Sequence, residues 1–361
     1  MSYKARIEQD LDRWIASGLV PADSRAAILA SIPDARRLDA ATALAWVGGV
    51  LMGIAVIAFV AANWDGMSRL ARFGIVLAAF LALAAGGAWA AQRQRPILAD
   101  ILLTVTVLVF AASIGLVGQI FDIVGEPRAA FRGAGLAGLA LALAGRSTGS
   151  ACVGLVFVAL GDFAGLDRPG GMPAHAPWLV LAAPLGAFLA LRWVSTPLAH
   201  VSALAIVACA AWFAARLDHP HAAQAGVLFV LSIALAAMAA LARWFGMRQQ
   251  PVAGVFYGWL AAGAIVFFAV SGYLPLPGDE SGQTAGVAHR IVWLAASGAL
   301  VALGRIDRHP FVTAVGVLGL IGAVSALLMD LGLDLMTAAG VFLLCAVAAL
   351  VAGLLLRRSR A

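Results

Sequence analysis

The sequence predicts an all-α, polytopic integral membrane protein with about twelve membrane-spanning helices, and its composition indicates this fold class. Hydrophobic residues make up 63% of the 361-residue chain, and charged residues make up only 12%. Ordinary soluble domains contain about 45–50% apolar and about 25% charged residues. Because a soluble domain of this size needs more polar groups to cover its surface, the composition excludes a water-soluble globule.

Twelve apolar runs have the length, or nearly the length, of a helix that crosses a bilayer. A hydrocarbon core of about 30 Å requires roughly 20 apolar residues in a helix. The runs cover residues 42–62, 69–91, 98–119, 129–144, 148–165, 177–194, 197–216, 222–243, 252–274, 289–305, 309–330 and 335–357. The fourth, fifth and tenth runs are short, so the predicted number of spans is ten to twelve.

Basic residues are distributed unequally between the two sides that twelve alternating spans define. With the N-terminus in the cytoplasm, the cytoplasmic segments contain 17 of the 24 Lys and Arg residues. This excess, which comes mostly from the two chain ends, satisfies the positive-inside rule. We therefore predict a multi-pass protein of the bacterial inner membrane with both termini in the cytoplasm. Helix ends on the two sides are named the predicted inner end and the predicted outer end.

Residues 1–41 form a predicted cytoplasmic helical hairpin ahead of the transmembrane bundle at residues 42–361. Four apolar residues share one face of a predicted helix near residues 3–17, namely Ile7, Leu11, Trp14 and Ile15. Gly18 is placed to end this helix and Pro21 to begin a second one. The segment has no secretory h-region. We expect the hairpin to lie at the cytoplasmic membrane surface or to bind a protein partner.

The other partners expected from the sequence are lipids. Basic residues that border the spans and should attract anionic headgroups are Arg36, Arg37, Arg357, Arg358 and Arg360. Because the basic residues form no stripe along one face, the net charge of +6 does not indicate binding of nucleic acid. The three cysteines lie within apolar runs without C-x-x-C spacing, and no enzyme or nucleotide motif occurs. We predict no cofactor, no metal site and no assignable catalytic residue.

A group of polar residues lies at the predicted outer ends of the first four spans. Its members are Asn63, Asp65, Arg72, Gln119, Asp122, Glu126, Arg128 and Arg132. Polar groups in hydrocarbon need partners or water, so they are candidates for function. We predict a ligand-binding pocket here, in which Asp122 or Asp65 pairs with Arg72 or Arg132. Helix capping and snorkelling at the interface explain the same residues without a ligand.

Other residues at depth have narrower predicted roles. Asp100, near the predicted inner start of the third span, is expected to cap that helix. Asp162, near the predicted outer end of the fifth span, is a second candidate for facing a cavity. Five glycines predict that the third and fourth spans approach closely: Gly115, Gly118, Gly133, Gly135 and Gly138.

Three motifs in the first half of the chain follow one another in a characteristic order. They are Asp12-Arg13-Trp14 before Gly18-Leu19-Val20, then Ala62-Asn63-Trp64 after the first span, then Gly118-Gln119-Ile120-Phe121 at the end of the third. This order resembles the bacterial membrane-protein family catalogued as domain of unknown function 2157, over about residues 5–160. Phe121 stands where the family more often has Tyr, and Phe131 where an aromatic residue, commonly Trp, is expected. The resemblance implies a topology and a region of interest, and it implies no activity.

Three functions follow from these observations. The first is a secondary transporter or flippase-like protein for a small solute or lipid intermediate, which the span count and the glycine-rich helices favour. The second is a membrane scaffold or sensor that recruits a partner through the hairpin. The third is a membrane-embedded, lipid-modifying enzyme, in which Asp122 and Asp65 act as acids or bases and Arg72 or Arg132 binds a phosphate. The sequence favours a non-enzymatic function over the third.

Overall fold

A computed structural model describes residues 3–31, 66–122, 125–164, 177–216, 221–246, 252–274 and 283–330, together with Met336 and Gly340. Throughout these ranges the regular secondary structure is helical, which confirms the predicted all-α class. The chain forms two compact units, Met1–Arg72 and Phe73–Ala361.

The described N-terminal part of the first unit contains two helices. Helix α1 covers Tyr3–Ala16, a short 3-10 turn covers Ala22–Ser24, and helix α2 covers Arg25–Ser31. Between them, Gly18 adopts a positive φ of 72°, and its amide donates to the Ile15 carbonyl at 3.0 Å. This geometry favours glycine, because a residue with a Cβ is strained there. The predicted helix near residues 3–17 is confirmed, and Gly18 follows its end as expected.

Ten further helices correspond, in order, to the second through the eleventh predicted spans. They are α3 Arg69–Gln92, α4 Pro96–Phe121, α5 Pro127–Gly145, α6 Thr148–Phe163, α7 Leu179–Trp193, α8 Thr196–Arg216, α9 His221–Gly246, α10 Ala253–Ser271, α11 Gln283–Ile306 and α12 Pro310–Asp330. The first and last predicted spans, 42–62 and 335–357, lie outside the described residues.

Among the described helices, seven are long and apolar enough to cross a membrane, judged by length and composition alone: α3, α4, α8, α9, α10, α11 and α12. Helices α6 and α7 are apolar but shorter, with 16 and 15 residues. At 1.5 Å per residue they are about 22–24 Å long, less than a hydrocarbon core of about 30 Å.

The helix lengths correct two expectations about the spans. The tenth predicted span, expected to be short, is the 24-residue α11, because the helix continues into the polar residues that precede the apolar run and begins at Gln283. The sixth, expected to be of full length, is the 15-residue α7, because its helix begins only at Leu179.

Close contact between helix backbones depends on glycine at two places. A Cβ added to Gly138 of α5 would lie 2.8 Å from the Cα atom of Gly154 in α6. A Cβ on Gly316 of α12 would lie 2.6 Å from the amide nitrogen of Val301 in α11. A side chain at either position would therefore push the two helices of the pair apart.

The glycine contacts also correct the predicted approach of the third and fourth spans. Within the described part of the chain, an added Cβ at Gly115 or Gly133 has no atom within 4 Å. Gly135 and Gly138 instead face α6 across a tight turn, although Gly138 also approaches Val107 of α4. The glycine face of α5 therefore packs mainly against α6, because the short link folds α6 back along that face.

Apolar side chains fill the space between the helices of the second unit. The largest cluster joins α5 through α10 and includes Leu155, Leu179, Leu198 and Leu260. A second cluster lies between α10, α11 and α12 and includes Trp293. These clusters hold together helices whose other faces expose large apolar side chains such as Leu181 and Leu318.

Four of the links at the predicted inner end have the same construction. In each, one residue takes a positive φ of 51–56°, and the next residue precedes the following helix. The pairs are Gln94-Arg95, Arg146-Ser147, Val194-Ser195 and Arg308-His309. The amide of the second residue donates to the carbonyl five residues earlier, at 2.8–3.2 Å. This is the Schellman arrangement that satisfies carbonyl groups at a helix end.

Candidate functional site

A buried carboxylate, Asp162, is the centre of the polar group at the predicted outer end. Its side chain has no exposed surface. One carboxylate oxygen accepts from Arg132 Nε at 3.2 Å and from Arg132 Nη2 at 2.8 Å. The other oxygen accepts from the backbone amide of Leu179 at 2.9 Å. Asp162 therefore joins α5, α6 and the first turn of α7 through charged hydrogen bonds.

Two tryptophans also contact this site. The buried Trp212 of α8 donates its indole N–H to the backbone carbonyl of Asp162 at 3.2 Å. The Arg132 guanidinium lies 5.6 Å from the ring centroid of Trp178, at the start of α7, and makes a cation–π contact. The Arg132 side chain is 15% exposed, so the cation is the member of the pair that solvent or a ligand reaches.

The backbone near the end of α6 holds the pair in place. A Cβ at Gly161 would lie 2.8 Å from Cγ of Arg132 and 3.2 Å from the Arg128 carbonyl oxygen. The absence of a side chain there lets the Arg132 stem lie directly on α6. One turn earlier on α5, Arg128 donates from Nε to the Ala164 carbonyl at 2.7 Å. Both arginines thus attach α5 to the end of α6.

The structure brings one residue of the predicted pocket together with a residue outside the predicted group. Arg132 pairs with Asp162, which the sequence analysis treated separately. Gln119, Asp122 and Glu126 are exposed, and Asp122 has a positive φ of 55° at the end of α4.

Three residues of the predicted group remain, namely Asn63, Asp65 and Arg72. Arg72 is the last residue of the first compact unit. Asn63 and Asp65 lie outside the described residues. Ligand binding by the predicted group stays a prediction.

The pairing of Arg132 with Asp162 can be read from the sequence if the position of the tight turn at Arg146-Ser147 is known. Arg132 lies 14 residues before Arg146, and Asp162 lies 15 residues after Ser147. In an antiparallel hairpin, residues at equal distances from the turn lie at the same depth. The apolar runs alone do not give the position of the turn.

A second ion pair lies at the same predicted outer end, on α11 and α12. Arg290 is 3% exposed and donates from Nε to Asp330 at 3.0 Å. Its guanidinium also lies 4.1 Å from the ring centroid of Tyr273. Each of two hairpins, α5/α6 and α11/α12, therefore carries an arginine near the start of its first helix and an aspartate at the end of its second.

The predicted inner end contains a different carboxylate arrangement around Asp100. Its side chain accepts from the Ser147 hydroxyl at 2.7 Å and from the Gly149 amide at 2.9 Å. Asp100 thus caps the N-terminus of α6. The sequence analysis expected it to cap its own helix, α4, and this expectation is wrong. The reason is its position: it lies in the second turn of α4, beyond the first amides of that helix, and beside the α5/α6 turn.

One further ion pair, Arg243 with Asp307, lies at the predicted inner end. Arg243 donates from Nε and Nη2 to the two carboxylate oxygens at 2.6 and 2.8 Å. These hydrogen bonds hold the pKa of Asp307 below its ordinary value. The bidentate geometry ties the end of α9 to the link between α11 and α12.

The described residues contain no group of three His, Cys, Asp or Glu side chains that could hold a metal ion. The arrangement at the predicted outer end can bind an anion through the guanidinium of Arg132, or it can open when the pair with Asp162 breaks. Its chemistry is that of charged hydrogen bonds, with Trp178 covering one face of the cation.

Helices of this length and composition, with charges paired at their ends, define a polytopic α-helical membrane protein. Residues 12–151 match a family model described as predicted membrane protein, DUF2157, which confirms the resemblance seen in the motifs. That description assigns no activity. Neither a search of curated proteins nor a search of solved structures gave a significant match to the chain.

Proposed function

We propose that the protein is a secondary transporter or flippase-like protein that moves a solute or lipid intermediate carrying an anionic group. The observation that supports this most is the buried Arg132–Asp162 pair. An ion pair taken out of water contributes little net stability, because desolvation offsets the attraction. Ionisable groups within membrane helices more often serve a pathway than the fold.

The unequal exposure of the pair indicates how an anion could use it. Arg132 is 15% exposed and Asp162 is not exposed. A phosphate or carboxylate that arrives from the predicted outer end therefore meets the guanidinium first. Because it offers the same charged acceptor atoms as Asp162, it competes for the Nη2 donor. Binding the anion frees Asp162, and release of the anion lets the pair form again.

Freeing Asp162 loosens the contact between three helices. The same carboxylate accepts from the amide of Leu179, so this one side chain joins the start of α7 to both α5 and α6. Helix α7 is also the shortest of the described helices in the second unit, with 15 residues. Movement of α7 relative to α5/α6 when the pair opens would give the alternating exposure that transport requires.

The experiment uses the full chain in proteoliposomes with two probes. One arm measures uptake of radiolabelled inorganic phosphate, and the other measures flipping of a fluorescent phosphatidylglycerol by dithionite quenching. We expect a protein-dependent rate in one arm, reduced roughly tenfold or more in Arg132→Gln, since a charged hydrogen bond is lost. The control variant is Asp307→Asn, which breaks the bidentate pair with Arg243 at the predicted inner end. It should keep the wild-type rate, which would show that the loss in Arg132→Gln is not a general effect of breaking an ion pair.

Rates equal to those of empty liposomes in both arms would contradict the proposal for phosphate-bearing substrates. If the Arg132→Gln variant keeps the wild-type rate, the Arg132–Asp162 pair has no role in transport. Activity in the phosphate arm would indicate a solute, and activity in the lipid arm would indicate flipping.

A second function, partner recruitment by the hairpin, is favoured by one observation. Arg25 of α2 donates to Asp12 at 2.9 Å and to Glu8 at 3.0 Å, both on α1. These bonds hold the two helices together while Trp14 is 42% exposed and Leu19 is 74% exposed. If recruitment is the function, deletion of residues 1–31 abolishes a cellular phenotype that Asp162→Asn leaves intact. The opposite pattern supports transport.

A further inference from the structure

The residue before α12 occupies a position that serine holds in two other turns of the same construction. Ser147 accepts from the Ser150 amide at 3.1 Å, and Ser195 accepts from the Leu198 amide at 3.5 Å. Both hydroxyls therefore cap the helix that follows. In the link from α11 to α12 the equivalent residue is His309, which accepts from the Val312 amide through Nδ1 at 3.3 Å.

The second ring nitrogen of His309 joins α12 to another helix. Its Nε2 atom lies 3.0 Å from the backbone carbonyl oxygen of Gly254, in the first turn of α10. The imidazole also makes an edge contact with Tyr257, with ring centroids 5.6 Å apart. His309 is therefore both a helix cap and a link between two helices at the predicted inner end.

These contacts specify the neutral form of the imidazole. The Val312 amide can only donate, so Nδ1 must be the acceptor. The Gly254 carbonyl can only accept, so Nε2 carries the proton. A second proton on Nδ1 would face the amide N–H and would put a positive charge at the N-terminus of α12, where the helix dipole is also positive. Protonation of His309 therefore removes the cap.

The charges around His309 do not restore the cap when the imidazole is protonated. The titratable and charged groups around it are Arg243 of α9, Tyr257 of α10, Arg305 of α11, and Asp307 and Arg308 of the link. The first turn of α12 contains none. Asp307 is an acid whose charge His309 feels, and its carboxylate already accepts two hydrogen bonds from Arg243. An imidazolium therefore shares Asp307 with Arg243, and Asp307 does not replace the acceptor that the Val312 amide loses.

We propose that His309 is a proton-binding site whose protonation removes the N-terminal cap of α12 at the predicted inner end. Histidine changes its charge between about pH 5 and pH 8, whereas serine at the equivalent turns does not. The turn before α12 thus differs from the turns before α6 and α8 in responding to protons. Nε2 keeps its proton, so the hydrogen bond to Gly254 of α10 is retained while the bond from the Val312 amide is lost. The inference does not depend on transport, since the loss of the cap follows from the Val312 hydrogen bond alone.

The experiment is hydrogen exchange by mass spectrometry on the full chain in lipid nanodiscs, at a series of pH values between about 8 and 5. Protection factors, which correct for the pH dependence of intrinsic exchange, are compared for peptides covering 310–316 and 148–154. We expect protection of the 310–316 peptide to fall roughly 2- to 30-fold on acidification, the effect of losing a capping acceptor. The 148–154 peptide is capped by Ser147 and contains no histidine, so its protection should not change.

His309→Ser is the matched variant, because it places in this turn the residue found in the other two. Its 310–316 peptide should keep similar protection at every pH, and His309→Ala should be weakly protected throughout. The proposal is overturned if wild-type protection of that peptide is independent of pH, or if His309→Ser retains the wild-type pH dependence. The comparison of two peptides within the wild-type chain decides the matter even where a variant does not fold.

Discussion

The two ends of the second unit are built differently. At the predicted inner end, four links between helices follow one local rule, with a residue of positive φ and then a residue at the capping position. At the predicted outer end, contacts between distant residues join the helices, as Asp162 does with Arg132 and Leu179. The inner end also has such contacts, for example Arg243 with Asp307, but its turns follow the local rule. The comparison indicates that local sequence determines the inner turns, whereas packing of whole helices determines the outer contacts.

The largest expected difference between the two ends is in the stability lost when the aspartate of an ion pair is replaced by alanine. Asp162→Ala leaves a cation that is 15% exposed and an unpaired amide at Leu179. We expect a loss of about 3–5 kcal/mol in the free energy of unfolding. Asp307→Ala at the other end leaves Arg243 29% exposed and able to reach water, with a loss of about 1–3 kcal/mol. Unfolding in mixed micelles measures both, and equal losses would contradict the comparison.

The next effect concerns the glycine contact between α5 and α6. Gly154→Val should reduce the free energy of unfolding by about 1–3 kcal/mol, because an added Cβ would lie 2.9 Å from the Leu139 amide nitrogen. Gly133→Val on α5 is the control, since no described atom lies within 4 Å of a Cβ there, and it should change stability by about 0.5 kcal/mol or less. A similar loss for both variants would mean that glycine is required by the conformation of each helix and not by the contact between α5 and α6.

A smaller effect is expected from the cap at the predicted inner end. Ser147→Ala removes the acceptor of the Ser150 amide and the donor to Asp100, and should lower stability by about 0.5–2 kcal/mol. The matched control is Ser325→Ala, which removes an exposed hydroxyl bound to the Ile321 carbonyl of its own helix. Thermal unfolding of both variants checks this, and the prediction is wrong if Ser325→Ala costs as much.

The smallest effect is a pH dependence of the Arg243–Asp307 pair. The hydrogen bonds from Arg243 lower the pKa of Asp307 below its ordinary value of 3.8 in the folded chain. Its stabilising contribution is therefore complete above that value and is lost as the pH falls through the lowered pKa. Asp307→Asn should flatten this acid limb in unfolding curves, and the stability of the variant should show the same pH dependence as the wild type between about pH 5 and pH 8. A change within that range would have to come from another group.

The order and approximate limits of the helices could be predicted from the sequence because hydrophobicity along the chain is a local property. Ten described helices follow the apolar runs, and Gly18 follows the end of α1 as its type predicts. The errors occur where a helix extends beyond its apolar run, as α11 does to Gln283. Backbone hydrogen bonds extend a helix through polar residues as well as apolar ones, so the limits of an apolar run do not show where the helix begins.

The candidate site was only partly predictable. The sequence identified Arg132 and Asp162 as polar groups at depth, but it did not identify their pairing or the contacts with Trp178 and Trp212. Pairing depends on which helix faces which, and that follows from the tight turn at Arg146-Ser147 and the glycine contact of α5 with α6. The sequence alone thus determines that the chain is helical and belongs in a membrane, since each apolar run must satisfy its own backbone in lipid. Only the tertiary structure decides which charges meet, because many side-chain contacts of comparable energy compete to orient each helix about its axis.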